Sequence, residues 1–146
     1  MKVKECMCTQ VISANQNATI SEVAKLMGDN HVGCIPVCDE NSKVVGLVTD
    51  RDLILRCIAC EKDCKQTPVS EIMTKKLEVV SPEEDLCNAT QKMCDWQIRR
   101  IPVVDNYKLV GIITLGDLAN NNVSPNEISN TVEQICKCGS DPKNAE

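Results

Sequence analysis

Ile35-Pro36-Val37-Cys38-Asp39, then Val44-Val45-Gly46-Leu47-Val48-Thr49-Asp50-Arg51-Asp52-Leu53, is a phrase the chain uses twice. It returns as Ile101-Pro102-Val103-Val104-Asp105, then Leu109-Val110-Gly111-Ile112-Ile113-Thr114-Leu115-Gly116-Asp117-Leu118. Each copy runs apolar segment, turn, apolar segment with a Gly, then Thr-x-x-Asp. The Ile-Pro-Val steps stand 66 residues apart, as do Met7 and Met73. Past the turn the offset is 65, so the second turn is one residue shorter. Two halves of about 65 residues would each be marginal alone, which favours two similar units packing together.

Bulk properties narrow the function. The 146 residues are 42% hydrophobic and 25% charged, and no apolar run approaches the ~20 residues a spanning helix needs. A soluble protein with no membrane partner is expected. Met1-Lys2-Val3-Lys4-Glu5 has no apolar signal core, so a cytoplasmic location is expected. The net charge of -5 argues against a broad basic face for nucleic acid. Trp96 and Tyr107 are the only aromatics, too few for a base-stacking platform. The 11 cysteines fit small apolar residues in a reducing compartment.

Along the chain, Val11-Ile12 within Thr9 to Ser13 reads as a brief strand, and Asn15-Gln16-Asn17 as a turn. Thr19 and Glu22 have capping-box spacing; Ile20, Val23, Ala24 and Met27 follow at helical spacing. Gly28-Asp29-Asn30 should end that helix. Val32 to Cys38 is a strand whose Pro36 implies an edge or a bend. Asp39 to Ser42 is a hairpin loop, Val44 to Val48 a buried strand, and Thr49 caps a helix from Asp50 to about Ala59. The second half repeats the plan. Val69 to Thr74 is a helical turn and Leu77 to Val80 a strand. Ser81-Pro82-Glu83-Glu84 starts a helix running to about Trp96. Ile98 to Val104 and Lys108 to Ile113 form a hairpin, and Thr114 opens a helix broken at Asn120-Asn121-Asn122. Ile128, Val132 and Ile135 place a last helix over Glu127 to Lys137, and Gly139 to Glu146 should fray. The class is α+β, two β-α-β-β-α repeats: residues 1–66, 67–122, and a C-terminal helix and tail at 123–146.

The order and doubling of these motifs resemble a tandem pair of cystathionine β-synthase (CBS) domains, a Bateman module. The resemblance rests on Met7, Ile20 to Met27, Ile35-Pro36-Val37 and Gly46-Leu47-Val48-Thr49-x-x-Asp52. In the second copy it rests on Met73-Thr74, Ser81-Pro82, Arg99 to Asp105 and Gly111-Ile112-Ile113-Thr114-x-x-Asp117. It covers about residues 5 to 120. It implies a pseudo-two-fold pair that binds adenosine-containing ligands in clefts between the repeats, with the Asp on ribose and the Thr near phosphate. It also implies a homodimer formed through helices into a flat disc.

The residues themselves leave alternatives open. Thr49 with Asp52, and Thr114 with Asp117, are spaced as capping boxes, which need no ligand. Yet each follows a buried strand, lies three residues past a Gly that permits close backbone approach, and opens a helix whose free N–H groups favour an anion. Ile35, Pro36, Val37, Ile101, Pro102 and Val103 are either core or an apolar wall for a purine. Arg99 and Arg100 are either an exposed pair or a phosphate clamp. The first copy has Gly33 and Cys34 there, so Arg51 is its substitute candidate and the second copy the better phosphate site. Ser13 offers a further hydroxyl.

Cys57, Cys60 and Cys64 read C-x2-C-x3-C, and Cys6/Cys8 and Cys136/Cys138 read C-x-C. The three-cysteine run also has one-face helical spacing, so it is read as core or interface, with metal binding or redox pairing as alternatives. No Ser/His/Asp set, phosphate loop or partner for the lone His31 points to catalysis. The expected function is a stand-alone sensor of AMP, ADP, ATP or S-adenosylmethionine, with no obligatory cofactor, no metal and no enzymatic activity. It would pass its signal to an unidentified effector protein. The alternative is a redox- or metal-responsive cysteine-rich protein.

Overall fold

A computed structural model describes residues 1–137. In chain order its elements are α1 (Val3–Cys6), β1 (Ala14–Asn15), α2 (Ile20–Asn30), β2 (Cys34–Cys38), β3 (Val44–Thr49), α3 (Asp50–Asp52), α4 (Leu86–Trp96), β4 (Arg100–Asp105), β5 (Lys108–Thr114), α5 (Leu115–Asn120) and α6 (Pro125–Ile135). A π-helix, Leu53–Ile58, continues α3, and a 3-10 turn covers Val69–Glu71. This is the expected α+β mixture with small sheets. Among the described residues no helix is long and apolar enough to cross a membrane. The chain divides into two compact units that do not follow its linear order. Of the described residues, one holds Met1–Val11, Glu78–Asn106 and 110–137; the other holds Ile12–Leu77 with Tyr107–Leu109.

The unit built on Ile12–Leu77 carries a three-stranded sheet, order β1-β2-β3. The opening strand is Ala14–Asn15, not Val11-Ile12; Ala14 and Asn15 pair in parallel with Val37 and Cys38. Thr19 makes the expected capping box. Its Oγ accepts from the Glu22 N–H (3.2 Å), and its own N–H donates to Glu22 Oε2 (2.8 Å). The helix runs past Gly28 to Asn30, because His31 takes the left-handed cap (φ 53°) and donates its N–H to the Met27 carbonyl.

Pro36 does not mark an edge, since β2 is the middle strand. Leu47, paired with Pro36, gives both its N–H and its C=O to Thr74 (2.9 and 2.8 Å). Pro36 and Leu47 are therefore a non-hydrogen-bonded pair. The donor that Pro36 lacks would face the β1 side, and β1 begins only opposite Val37. Proline thus costs the ladder nothing at this point. The core beneath includes Ile20, Val23, Ile35, Val37, Val48, Val69 and Ile72, all at most 2% exposed. Burial of each such side chain stabilises by about 1.5–3 kcal/mol.

The helix expected from Asp50 to Ala59 forms with a different pitch after one turn. Ala59 N–H reaches the Ile54 carbonyl (2.8 Å) and Lys62 N–H the Cys57 carbonyl (3.0 Å), both five residues back. The wider turn buries Cys57 and leaves Ile54, Leu55 and Ile58 54%, 49% and 70% exposed. Cys60 and Cys64 fall on the turns beyond and are exposed, so the three cysteines do not share a helical face.

The other unit carries the two-stranded sheet β4-β5. Leu77 to Val80 is not a strand. Only Val80 reaches the sheet, donating to the Pro102 carbonyl (3.2 Å) and accepting from Val104 N–H (2.9 Å). The Val79 carbonyl goes to the Lys92 ammonium instead (2.8 Å). Ser81 to Glu84 is a turn rather than a helix start. The Pro82 and Glu84 carbonyls, which a helix would use internally, accept from Lys4 and Val3 N–H (both 3.0 Å). The helix begins at Leu86, with Asp85 at the N-cap position that Thr19 holds in the first copy. Asn106 (φ 48°) and Tyr107 (φ 68°) make the shorter hairpin turn, two left-handed residues as a two-residue type I′ loop requires. The last helix starts at Pro125, capped by Ser124 Oγ on Glu127 N–H (3.2 Å), and ends at Ile135. Its buried residues are Thr131 and Ile135, while Val132 faces out. Cys138 and the tail expected to fray, Gly139 to Glu146, lie outside the described residues.

In each unit the sheet is completed by a lead-in segment. Cys8 exchanges backbone hydrogen bonds with Ile112 (2.8 and 3.0 Å), as Thr74 does with Leu47. The Met preceding each lead-in residue lies over a strand glycine. A Cβ on Gly111 would sit 2.8 Å from Met7 Sδ and 3.0 Å from the Cys8 carbonyl oxygen. A Cβ on Gly46 would collide with the Met73 side chain and lie 3.1 Å from the Thr74 carbonyl oxygen. The close approach these glycines allow is made by the protein's own methionines.

Candidate functional site

Each copy brings Thr and Asp together at the end of its last strand, and both pairs form full capping boxes. In the first, Thr49 N–H donates to Asp52 Oδ2 (2.9 Å) and Asp52 N–H to Thr49 Oγ1 (3.2 Å). In the second, Thr114 N–H and Oγ1–H both donate to Asp117 Oδ2 (2.8 Å each), and Asp117 N–H returns to Thr114 Oγ1 (3.2 Å). All four residues are half-buried. Capping therefore occupies one oxygen of each carboxylate. It leaves Oδ1 of Asp117 without a hydrogen bond or ion pair among the described residues. The helices they open are short: six residues for α5, and three α-helical residues before the π segment in the first copy. An anion here would meet individual N–H groups and arginines more than a long helix dipole.

The two sites differ one turn further on. Arg56 Nε stands 3.7 Å from Asp52 Oδ1, and its Nη1 donates to the Ile72 carbonyl (3.0 Å). The residue in that register in the second copy is Asn121, whose amide donates to the Asp117 main-chain carbonyl (2.7 Å). Sequence reading passed over Arg56. Its i,i+4 spacing from Asp52 is the signal that would have found it.

The remaining candidates are placed as follows. Ile35, Val37, Ile101 and Val103 are 0% exposed in the two cores, and Pro36 and Pro102 are buried beside them. These side chains support the site as packed strand. Arg99 is exposed; its carbonyl accepts the Leu115 N–H (2.9 Å) and its Nη2 lies 3.7 Å from Cys136 Sγ. Arg100 is half-buried at the start of β4. In the first copy the Gly33 carbonyl makes the matching bond to Asp50 N–H (2.9 Å). Arg51 is exposed, with its N–H on Asp50 Oδ1 (2.9 Å). Ser13 is exposed just before β1 and hydrogen-bonds the Cys38 thiol. It lines a groove of about 370 Å³ shared with Asn15, Glu22, Lys25, Leu26 and Asp29, away from Thr49 and Asp52.

Burial pushes the Cys6, Cys38, Cys57 and Cys94 thiols above their ordinary range; at Cys57 the neighbouring Cys64 adds to the effect. These are protonated, poorly nucleophilic thiols at neutral pH. Cys57 and Cys60 direct their S–H groups at the Lys62 and Leu55 carbonyls (3.6 and 3.5 Å). Among the described residues no group of three or more His, Cys, Asp or Glu side chains is placed to hold a metal ion. His31 is an exposed helix cap.

Comparison with known proteins agrees with this arrangement. The CBS domain family model matches twice, over residues 3–58 and 69–123. CBS domain-containing protein YhcV of Bacillus subtilis is 45% identical over 133 residues, 91% of this chain and 94% of that protein. The CBS domain pair of protein MJ0100, solved in complex with 5-methylthioadenosine and S-adenosyl-L-methionine, superposes with a TM-score of 0.72 at 30% identity. That match covers 82% of this chain and 94% of the other. Hypoxic Response Protein I, solved with two coordinated zinc ions, gives a TM-score of 0.77 at 25% identity over 82% of this chain and 98% of its own. With two matched copies, the Thr-x-x-Asp cap closing each and a close relative along nearly its whole length, the chain belongs to the CBS domain family as a tandem pair.

Proposed function

We propose that this CBS pair is a regulatory sensor of an adenosine-containing metabolite, AMP, ADP, ATP or S-adenosylmethionine, and not an enzyme. One observation carries the reading: Thr114 holds Asp117 through one oxygen while the other has no partner among the described residues. A fixed carboxylate oxygen is what a pair of vicinal ribose hydroxyls requires as acceptor. Half-buried Arg100 at the start of β4 and exposed Arg99 just before it supply cations for a phosphate or for the carboxylate of a sulfonium-bearing ligand. The ligands present in the MJ0100 pair support the adenosine class. Ligand binding would act by favouring one arrangement of the pair over another, in proportion to its differential affinity.

The output passes to a second copy and to an effector protein. Ile54, Leu55 and Ile58 form an exposed apolar face on the π-helix. The counterpart of this segment in the other unit, α5, is packed against α6. A face that one unit covers with a helix, and the other leaves bare, supports homodimer formation through the bare one. The zinc ions of Hypoxic Response Protein I keep a metal-responsive reading in view. Cys57 is buried with its S–H on the Lys62 carbonyl while Cys60 and Cys64 are exposed, and among the described residues no side-chain group is placed to hold a metal, which weighs against it.

The test is a thermal-shift series with AMP, ADP, ATP, S-adenosylmethionine and zinc. A ligand at 100 times its dissociation constant stabilises by about 2.7 kcal/mol, a shift of several degrees. A shift with an adenosine compound is expected. A shift with zinc alone overturns the adenosine reading.

A further inference from the structure

We propose that Arg56 closes the first-copy aspartate to ribose, so that this chain takes its adenosine ligand at Asp117 and not at Asp52. The inference rests on the adenosine reading above and assigns it to one of two sites that share the Thr-x-x-Asp motif. In both copies the cap bonds go to Oδ2, two at Asp117 and one at Asp52, so Oδ1 is the oxygen that the cap leaves untouched for a ribose. At Asp52 that oxygen faces Arg56 Nε at 3.7 Å.

The guanidinium is fixed there from its other end by the Ile72 carbonyl, 3.0 Å from Nη1. The pair is largely withdrawn from water, with the Asp52 side chain 16% exposed and that of Arg56 31%. Arginine does not lose its charge at any working pH. A ribose at Asp52 would have to displace a cation that the Ile72 carbonyl anchors beside it. It would also trade a charge-assisted contact for neutral hydroxyl donors. At Asp117 the residue in the same register is the neutral Asn121, which turns inward to its own helix (2.7 Å). The motif is thus intact in both copies, and a residue outside it decides which copy is open.

Isothermal titration of AMP, ATP and S-adenosylmethionine into wild type, Arg56→Asn and Asn121→Arg tests this. Each substitution installs what the other copy carries in that register. The expected set is one site per chain in wild type, two in Arg56→Asn, and a site weakened at least about tenfold in Asn121→Arg. Two sites in wild type overturn the proposal, as does a single site in an Arg56→Asn protein with wild-type circular dichroism. Should Arg56→Asn not fold, Asn121→Arg decides: wild-type affinity there overturns the proposal. Failure of wild type and both variants to bind any of the three compounds refutes the adenosine reading itself, a result distinct from the others.

Discussion

Replacing Gly46 by alanine tests the packing that positions β3 and, through it, Thr49. The new methyl would collide with the Met73 side chain and lie 3.1 Å from the Thr74 carbonyl oxygen. Thr74 is held by two hydrogen bonds to Leu47, so the carbonyl cannot retreat freely. Overpacking of this kind costs about 1–3 kcal/mol. Alanine recovers up to about 1 kcal/mol of the strand penalty of glycine. The net expectation is a loss of about 1–2 kcal/mol, which at this chain length lowers Tm by about 3–8 °C. Met73→Ala alone removes a side chain that is 8% exposed and costs about 2–5 kcal/mol. In the double variant the clash with Met73 is gone, so the two losses should fall short of their sum by at least about 1 kcal/mol. Urea unfolding of all four proteins measures this. Additivity within about 0.5 kcal/mol would show that Met73 does not occupy the space over Gly46, and the account of the lead-in would be wrong.

Other consequences follow from the same contacts. Thr114→Val removes the hydroxyl that joins Asp117 on both sides of the cap, and should cost about 1–2 kcal/mol in urea unfolding. On the proposed homodimer, Ile58→Glu places a charge on the exposed apolar face and should give a monomer in sedimentation equilibrium where wild type gives a dimer; an unchanged dimer mass would remove this face as the contact. Cys60 and Cys64 should react with a thiol-specific chromogenic reagent well before Cys57, which is buried with its thiol pushed up. Folding favours the protonated Cys57 thiol. That stability is whole below the ordinary value of 9.0 and is lost as pH rises through the raised one, so denaturant midpoints should fall in that alkaline window and less so in Cys57→Ala. The Lys4–Glu83 pair has the opposite sense on its acid side. The lysine holds the Glu83 carboxyl below its usual range, and acid titration of Glu83 followed by NMR should show the depression vanish in Lys4→Ala.

Much of this was legible because repetition doubles every local signal. The Thr19 capping box, the strands around Gly46 and Gly111 and the Thr-x-x-Asp caps all stand where pattern placed them. What misled was chemistry settled by distant partners. Ser81-Pro82-Glu83-Glu84 has every mark of a helix start, but the N-terminal residues Val3 and Lys4 claim its carbonyls. Pro36 implies an edge or a bend, because sequence does not show that β1 begins only opposite Val37. The π-helix changes which of Cys57, Cys60 and Cys64 face inward, and helical spacing assumes the ordinary pitch. The Gly of each copy allows close backbone approach, and a methionine far along the chain makes it, Met73 over Gly46 and Met7 over Gly111. At the site, Thr and Asp were visible as a pair, but the difference between Asp52 and Asp117 lies in Arg56 and Asn121, outside the repeated phrase.

The central claim is that Asp117 receives the ribose of an adenosine ligand. Isothermal titration of AMP, ATP and S-adenosylmethionine into wild type and Asp117→Ala tests it most directly, with circular dichroism to show that loss of the cap has not unfolded the variant. The account predicts saturable binding of at least one of the three to wild type and none to folded Asp117→Ala. Equal affinity in the two proteins, or no binding to wild type, would contradict it.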